Sequence, residues 1–409
     1  MKFLPIIYLA YMFCSIYLLS FSLLLYFKNK KHLFEYPPIK KKYSVSFVIP
    51  AYNEGKTIGD TIKHVFAIDY SNVKEVIVVN DCSTDNTRKV VENLQKKYSN
   101  LILINNEKNL GNAGKTKNVG WKHATGELIA FVDADSYPAK DTLQKMIGFF
   151  EDKQVGAVTC PVLVRNTDNF LGKLQAIEYK VVTFTRKLLG YVGGIYVTPG
   201  PLALYRSKAL DDIKGFDGNN ITEDIEITWH LIAKGWKREM PLGTGASTTA
   251  PETLKDWYRQ RRRWSLGGIQ CISKYKTEFL KKGILGMFVL PFFLIQFFLG
   301  MLGMGVFFYL LLTKTISNYL LVTYSLPTNV PLLTLNSFFI TPSFLDYLGI
   351  VLFVISFIFT LFVLSKVKET VLEKQNFFHI LFYSIFYLSV YPFIAISGVY
   401  NYFKRQNKW

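Results

Sequence analysis

LIAFVDADSYP, residues 128–138, is the stretch on which the reading of this 409-residue chain turns. Its apolar run, Leu128–Val132, predicts a buried parallel strand, and the run stops abruptly at Asp133-Ala134-Asp135. A strand that carries two carboxylates off its C-terminal end places charge where open α/β sheets bind ligands. Two hard oxygen donors at that point suit Mg²⁺ or Mn²⁺ carrying phosphates, because such ions bind through one or two carboxylates plus substrate. A lone D-x-D is equally compatible with a solvated loop, so its neighbours decide the matter.

Upstream, the same pattern repeats. Val45–Ile49 predicts a strand ending in Pro50-Ala51-Tyr52-Asn53-Glu54-Gly55, and a helix follows from about Thr57 with Ile58, Ile62, Val65 and Phe66 on one side. Glu75–Val79 predicts the next strand, ending in Asn80-Asp81-Cys82-Ser83-Thr84-Asp85, where Ser83 or Asp85 caps a helix that buries Val90, Val91 and Leu94. Leu101–Ile104 is a third strand, and Gly111-Asn112-Ala113-Gly114-Lys115 opens a helix reaching about Ala124. Strands and helices alternating at this spacing predict βαβ units and a parallel, doubly wound sheet.

Each strand end offers something a nucleotide-sugar needs. Tyr52, with Ala51 and Glu54 beside it, suits the flat face of a base, and Asp81 suits the single N–H donor on the pairing edge of uracil. Gly111, Gly114 and Lys115 form a flexible cationic loop at a helix start, where amide N–H groups and the helix dipole favour phosphate. Singly, Tyr52 is as readily a packing residue, Asp81 a turn acid and the glycines loop punctuation. Their convergence on one sheet edge carries the reading. FVIPAYNE (47–54), VVNDCSTDNT (78–87), NLGNAGK (109–115) and DAD (133–135) resemble the nucleotide-binding half of family 2 glycosyltransferases, which have the GT-A fold.

Acceptor chemistry is expected further on. Thr198-Pro199-Gly200-Pro201 predicts a turn, and Thr222 predicts an N-cap, with Glu223, Asp224 and Glu226 in the first helical turn. That is either a well-capped helix or the place where one carboxylate takes a proton from an acceptor hydroxyl. Asp256–Trp264 follows. On a helix Gln260, Arg263 and Trp264 share one face, Arg261 and Arg262 point elsewhere, and Trp257 and Trp264 form a stripe suited to a bilayer surface. T-E-D followed by Q-x-x-R-W resembles the membrane-embedded, mostly processive branch that makes cellulose, chitin, hyaluronan and poly-N-acetylglucosamine. ITEDIEITW and RWSLGG look most similar to the poly-β-1,6-N-acetylglucosamine type. The resemblance implies Asp224 as catalytic base and Asp133 and Asp135 at the metal. It implies donor contacts from Ala51, Tyr52, Glu54, Asp81, Lys115 and Asp133, and substrate contacts from Glu223, Gln260, Arg263 and Trp264. A single base suits an inverting displacement.

The chain is 50% hydrophobic and 16% aromatic with a formal charge of +18. Pro5–Phe27 carries no charge and is long enough to span a bilayer, and Ile284–Leu312, Phe344–Leu364 and Phe377–Val399 are further candidate spans. The expected organisation is an N-terminal anchor (1–27), a basic linker (28–43) and a GT-A domain (44–250). Interfacial amphipathic helices (251–283) and a membrane region of about three spans (284–409) follow. The fold class expected is α/β, a GT-A-type domain with a mostly parallel sheet flanked by transmembrane helices. Lys28, Lys30 and Lys31 directly after the first span, and Lys274–Lys282 before the second, place the domain in the cytoplasm of a multi-pass membrane protein. The Lys- and Arg-free stretch Thr315–Ser343 fits an external loop. With four spans, however, Lys404, Arg405 and Lys408 fall outside, so one segment is re-entrant or the tail is an exception; Pro291 and the pair Pro327/Pro331 are candidate breaks. Charge beside spans matches anionic lipid rather than nucleic acid. The four cysteines lack paired spacing, which indicates neither a zinc site nor a disulfide framework.

A processive synthase using a UDP-sugar is the leading expectation, with a polysaccharide or lipid-linked acceptor. The few spans leave room for a small membrane partner subunit. A single-addition transferase acting on a membrane lipid is the alternative. A non-catalytic membrane scaffold or nucleotide sensor fits less well, since it has no use for an acceptor-side base.

Overall fold

The computed structural model, which describes residues 4–325, 344–367 and 376–404, opens with a long apolar helix, α1 (Leu4–Asn29). Beyond the basic linker, β1 (Val45–Ala51), α2 (Ile58–Phe66), β2 (Val73–Asn80), α3 (Thr87–Gln95), β3 (Leu101–Asn105), α4 (Ala113–His123) and β4 (Leu128–Phe131) follow the alternation expected from the sequence. β3, β2, β1 and β4 lie side by side and parallel, with Val48 opposite Phe131 and Ala51 opposite Asn80.

The D-x-D motif leads at once into β5 (Ser136–Pro138), followed by α5 (Thr142–Met146), β6 (Val155–Thr159), β7 (Val162–Val164) and α6 (Phe170–Gly190). Next come β8 (Ala203–Arg206), α7 (Ser207–Ile213), α8 (Glu223–Ala233), β9 (Lys237–Glu239) and β10 (Ala246–Thr248). β8 enters the main sheet antiparallel to both β4 and β6, and β9 pairs parallel with β6, giving seven strands in the order 3-2-1-4-8-6-9. β5, β10 and β7 form a small second sheet that pins the segment after the D-x-D turn.

Continuous apolar strands follow from burial on both faces. Phe47, Ile49, Val76, Val78, Leu128 and Ala130 pack on Ile58, Ile62 and Val65 of α2 and Val91 of α3. Val48, Ile129 and Phe131 point the other way, onto Leu210 and Ile213 of α7 and Ile227 and Leu231 of α8. Each such side chain contributes about 1.5–3 kcal/mol on leaving water, and a one-residue register slip would exchange the two sets.

Among the described residues, four helical stretches are long and apolar enough to cross a membrane: Pro5–His32, Leu285–Tyr324, Gly349–Lys366 and Phe377–Phe403. The second outruns its expected end, because α10 (Leu290–Ser325), preceded by a π-helical turn at Leu285–Val289, stays helical past Leu312. Part of the expected external loop is therefore helix. Pro291 follows directly on that π-helical turn, so the helix changes its hydrogen-bonding pattern beside the proline without ending; Pro327, Pro331, Arg405 and Lys408 lie outside the described residues. A longer interruption falls in the last segment. Phe377–Phe382 gives way to a π-turn at Tyr383–Tyr387 and a 3₁₀ turn at Leu388–Val390, and the helix resumes at Tyr391–Phe403.

The helix α9 (Leu254–Tyr275) lies along Tyr391–Phe403. Trp257 departs from the expectation of a stripe at the bilayer surface: it is buried, and its Nε1 donates to the Tyr387 hydroxyl at 2.6 Å. α6 also meets the membrane-length helices, with Phe184 and Leu188 packed on Leu25 and Tyr26 of α1 and on Val363.

Candidate active site

Parallel strands end together, so β1, β2 and β4 deliver their terminal residues to one place. A cleft of about 590 Å³ lies there. Its walls include Ala51, Tyr52, Glu54, Asp81, Asp133, Asp135, Glu223, Asp224, Arg263 and Trp264. Ten of the expected site residues thus come together from β1, β2, β4, α8 and α9. Lys115 and Gln260 are not among the lining residues. The aliphatic part of Lys115 lies over Gly218, and Gln260 turns its Oε1 to the Arg261 guanidinium.

The first wall suits a base. Tyr52 is 50% exposed at the cleft. Asp81 is buried, and its Oδ1 accepts from Asn106 Nδ2 at 2.7 Å and, like Oδ2, from Leu110 N at 3.1 Å. It therefore holds the 106–110 loop in shape as well as facing the cleft. Asp85, one of the two expected caps of α3, accepts from Thr87 N at 2.9 Å.

The D-x-D turn is held closely. Asp133 N donates to Gly200 O at 3.0 Å, and a Cβ on Gly200 would lie 2.0 Å from Asp133 Oδ2, so only glycine allows this approach. Burial, with Asp133 and Glu54 nearby, pushes the Asp135 carboxyl up to about 7. Glu54 is raised as well, by burial above all. Acids that raise one another in this way are a donor set that a divalent cation relieves.

Lys117, which no motif singled out, joins the two acidic stretches. Only 2% exposed, its Nζ lies 2.8 Å from Glu223 Oε1 and 3.3 Å from Asp133 Oδ1. The sequence carried one signal for it: Lys117 sits three residues from both Gly114 and Gly120, on the small-residue side by which α4 packs inward. Burial disfavours charge on Lys117 and on Glu223, yet attraction prevails: Asp133 and then Glu223 raise the lysine pKa, and Lys117, with Arg263 also near, lowers that of Glu223. Asp224 differs. Burial first, then the Glu223 charge, push it up to about 6, near the range of a working general base.

Thr222 is the N-cap residue of α8, but its hydroxyl donates to Asn220 Oδ1 at 3.2 Å instead of capping the helix. The reason is crowding by α9: a Cβ on Gly267 would lie 1.9 Å from Thr222 Oγ1. This close crossing carries Arg263 and Trp264 over the start of α8 and into the cleft wall. Arg261 was expected to point away from the face shared by Gln260, Arg263 and Trp264, with no partner named. It is only 1% exposed, paired with Glu178 of α6.

Residues 42–267 match the family model described as "Glycosyltransferase like family 2". The chain belongs to glycosyltransferase family 2. This family 2 glycosyltransferase is 30% identical over 286 residues to the poly-β-1,6-N-acetyl-D-glucosamine synthase of Staphylococcus aureus (strain COL), spanning 68% of this chain and 69% of that one. The synthase of Staphylococcus epidermidis matches with the same identity and coverage. Among solved structures, the mannosyltransferase PcManGT from Pyrobaculum calidifontis, in complex with GDP-Man and Mn²⁺, is similar over 98% of this chain and 99% of its own. Its TM-score is 0.63 and its sequence identity 18%, a likeness of fold. The expected α/β, GT-A-type fold and glycosyltransferase class hold.

Proposed function

We propose that the chain is an inverting, divalent-metal-dependent glycosyltransferase that uses a UDP-sugar to extend a β-linked polysaccharide at the cytoplasmic face of the membrane. A polymer of the N-acetylglucosamine type is favoured. One observation carries the reading: a single cleft joins the D-x-D acids, the half-buried Asp224 and the Arg263–Trp264 pair. A nucleotide sensor has no use for a carboxyl poised near 6 opposite the metal-type acids. The sugar follows from the synthases that the chain resembles.

Asp133 and Asp135 would hold Mg²⁺ or Mn²⁺, which supplies positive charge against a leaving diphosphate. Tyr52 and Ala51 hold the base, Glu54 bounds its pocket, and Asp81 accepts from the uracil N–H while keeping the 106–110 loop in place. Asp224 takes the proton from the acceptor hydroxyl as that oxygen attacks the anomeric carbon from the face opposite the diphosphate. Glu223, neutralised by Lys117, keeps its charge from raising Asp224 still further. Arg263 offsets charge on the departing group, and Trp264 offers a flat face to the acceptor sugar. Lys115 and Gln260 act from outside the lining as drawn, Lys115 on the diphosphate and Gln260 through α9.

The acceptor side rests on α9, which lies along the last membrane-length segment. The same proximity favours a second reading, single addition to a lipid-linked acceptor, and admits membrane lipids and a small membrane partner subunit. Purified protein in lipid nanodiscs, given Mn²⁺ or Mg²⁺ and a panel of radiolabelled UDP-sugars, tests both. A high-molecular-weight smear from one donor supports the synthase, and one band extractable into organic solvent supports the lipid acceptor. No turnover with any donor overturns both.

A further inference from the structure

The strongest buried charge pair outside the cleft ties its acceptor wall to the membrane segment. Arg261 of α9 forks onto Glu178 of α6, Nε to Oε1 at 3.1 Å and Nη2 to Oε2 at 2.5 Å, with both side chains more than nine-tenths buried. Tyr387 donates its hydroxyl to Glu178 Oε2 at 2.6 Å, and Tyr391 donates to Oε1. The Arg261 Nε also reaches the Tyr391 hydroxyl at 3.0 Å. Both tyrosines belong to the interrupted stretch of the last segment, at the end of the π-turn and the start of the final helix. Such turns are rare and cluster at functional sites, because they re-aim side chains that a regular helix would place elsewhere.

The guanidinium has a second contact. Its carbon sits 4.1 Å from the centre of the Trp264 ring, and Tyr179, next to Glu178, lies 6.4 Å from that ring. Trp264 in turn lines the cleft. A buried ion pair adds little net stability over apolar side chains of the same volume, whereas a desolvated cation fixes an aromatic ring in place.

We propose that Arg261 is a positioning residue. Gripped by Glu178 and by Tyr387 and Tyr391 of the last membrane segment, it holds the Trp264 indole in the acceptor wall, so that membrane segment and acceptor site are aligned together. This rests on the reading of Trp264 as an acceptor contact.

Three variants test it in the full chain in nanodiscs: Arg261→Met, the double variant Glu178→Met/Arg261→Met, and Arg261→Lys. Thermal unfolding, UDP affinity, KM for acceptor and kcat are measured on each. The ¹⁹F resonance of Trp264 is followed in 5-fluorotryptophan-labelled protein and assigned with Trp264→Phe. Arg261→Met leaves Glu178 unpaired and lowers the Tm; the double variant removes both charges and recovers it. In both, acceptor KM rises about tenfold, on the scale of a desolvated cation–π contact, UDP affinity stays at the parent value, and the Trp264 resonance shifts. Arg261→Lys, which keeps the charge without the fork, falls between. If the double variant regains the parent KM and Trp264 resonance together with its Tm, the pair is structural only and the proposal is overturned. A parent that turns over no donor refutes the proposed function, while the ¹⁹F comparison still decides whether Arg261 positions Trp264.

Discussion

The ammonium of Lys117 lies 2.8 Å from Glu223 Oε1, and this one contact joins the helix after the glycine loop to the acid-rich start of α8. The same nitrogen reaches Asp133, so donor-side and acceptor-side acids share a single buried counter-charge. Lys117→Met removes it and leaves the buried Glu223 without its ion-pair partner. The expected cost is about 3–5 kcal/mol, that of breaking a buried pair, read as a lower Tm by thermal unfolding. Lys117→Arg should retain part of the loss, because charge is kept and shape is not. A Tm equal to the parent's in Lys117→Met would contradict the bridge.

Asp224 works as a base only when ionised, and burial with Glu223 beside it places its pKa at about 6. The rate kcat/KM should therefore rise with pH along an acidic limb near that value. Stability runs the opposite way. A carboxyl raised in the fold stabilises below its unfolded pKa of about 3.9, and this contribution is lost as pH rises through the folded value. Asp224→Asn should abolish turnover, keep UDP affinity, and melt above the parent at pH 7.5, with the gap closing near pH 4. Normal turnover in this variant would remove Asp224 from the mechanism.

Asp135 is pushed up to about 7 by burial and its acidic neighbours, strain that a bound cation offsets. Titration calorimetry with UDP in Mn²⁺ should show binding by the parent that a chelator abolishes. Asp135→Ala should lose most of the metal-dependent part, on the order of tenfold or more for removal of a metal-binding carboxylate. Undiminished Mn²⁺-dependent affinity in the variant would rule out a role at the metal.

Arg186 on α6 is 5% exposed, and its Nε and Nη1 have no hydrogen-bond partner among the described residues. Burial lowers its pKa accordingly. An unsatisfied buried donor costs about 1–3 kcal/mol, so Arg186→Met should raise the Tm in nanodiscs by several degrees. A clear fall would show that the guanidinium is stabilised in the fold.

Much of the site was readable because its chemistry sits where chain-local patterns end. Three of the four apolar runs that become neighbouring parallel strands, β1, β2 and β4, stop at a motif, Tyr52–Glu54, Asp81 and Asp133–Asp135, and parallel strands bring their ends to one edge. Helical spacing likewise set Arg263 and Trp264 on one side of α9. It named no partner for Arg261 and failed for Trp257, because an amphipathic pattern marks which residues resemble one another and not what covers them. A polar residue on such a helix is taken as solvated until a partner from elsewhere buries it.

From its sequence alone this protein is determined as an α/β domain between apolar helices of membrane length, with its acids at the strand ends, since periodicity and strand termination are properties of neighbouring residues; its glycosyltransferase class followed from the resemblance of its motifs. Only the tertiary structure decided that Lys117 bridges Asp133 and Glu223, that Lys115 lies outside the cleft lining, and that Arg261 pairs with Glu178 beneath Trp264. Glu178 and Arg261 are 83 residues apart, and Glu178 and Tyr391 are 213 apart. Partners that distant are chosen by how helices pack, not by any spacing along the chain, and a buried charge is tolerated only where that packing supplies its counter-charge.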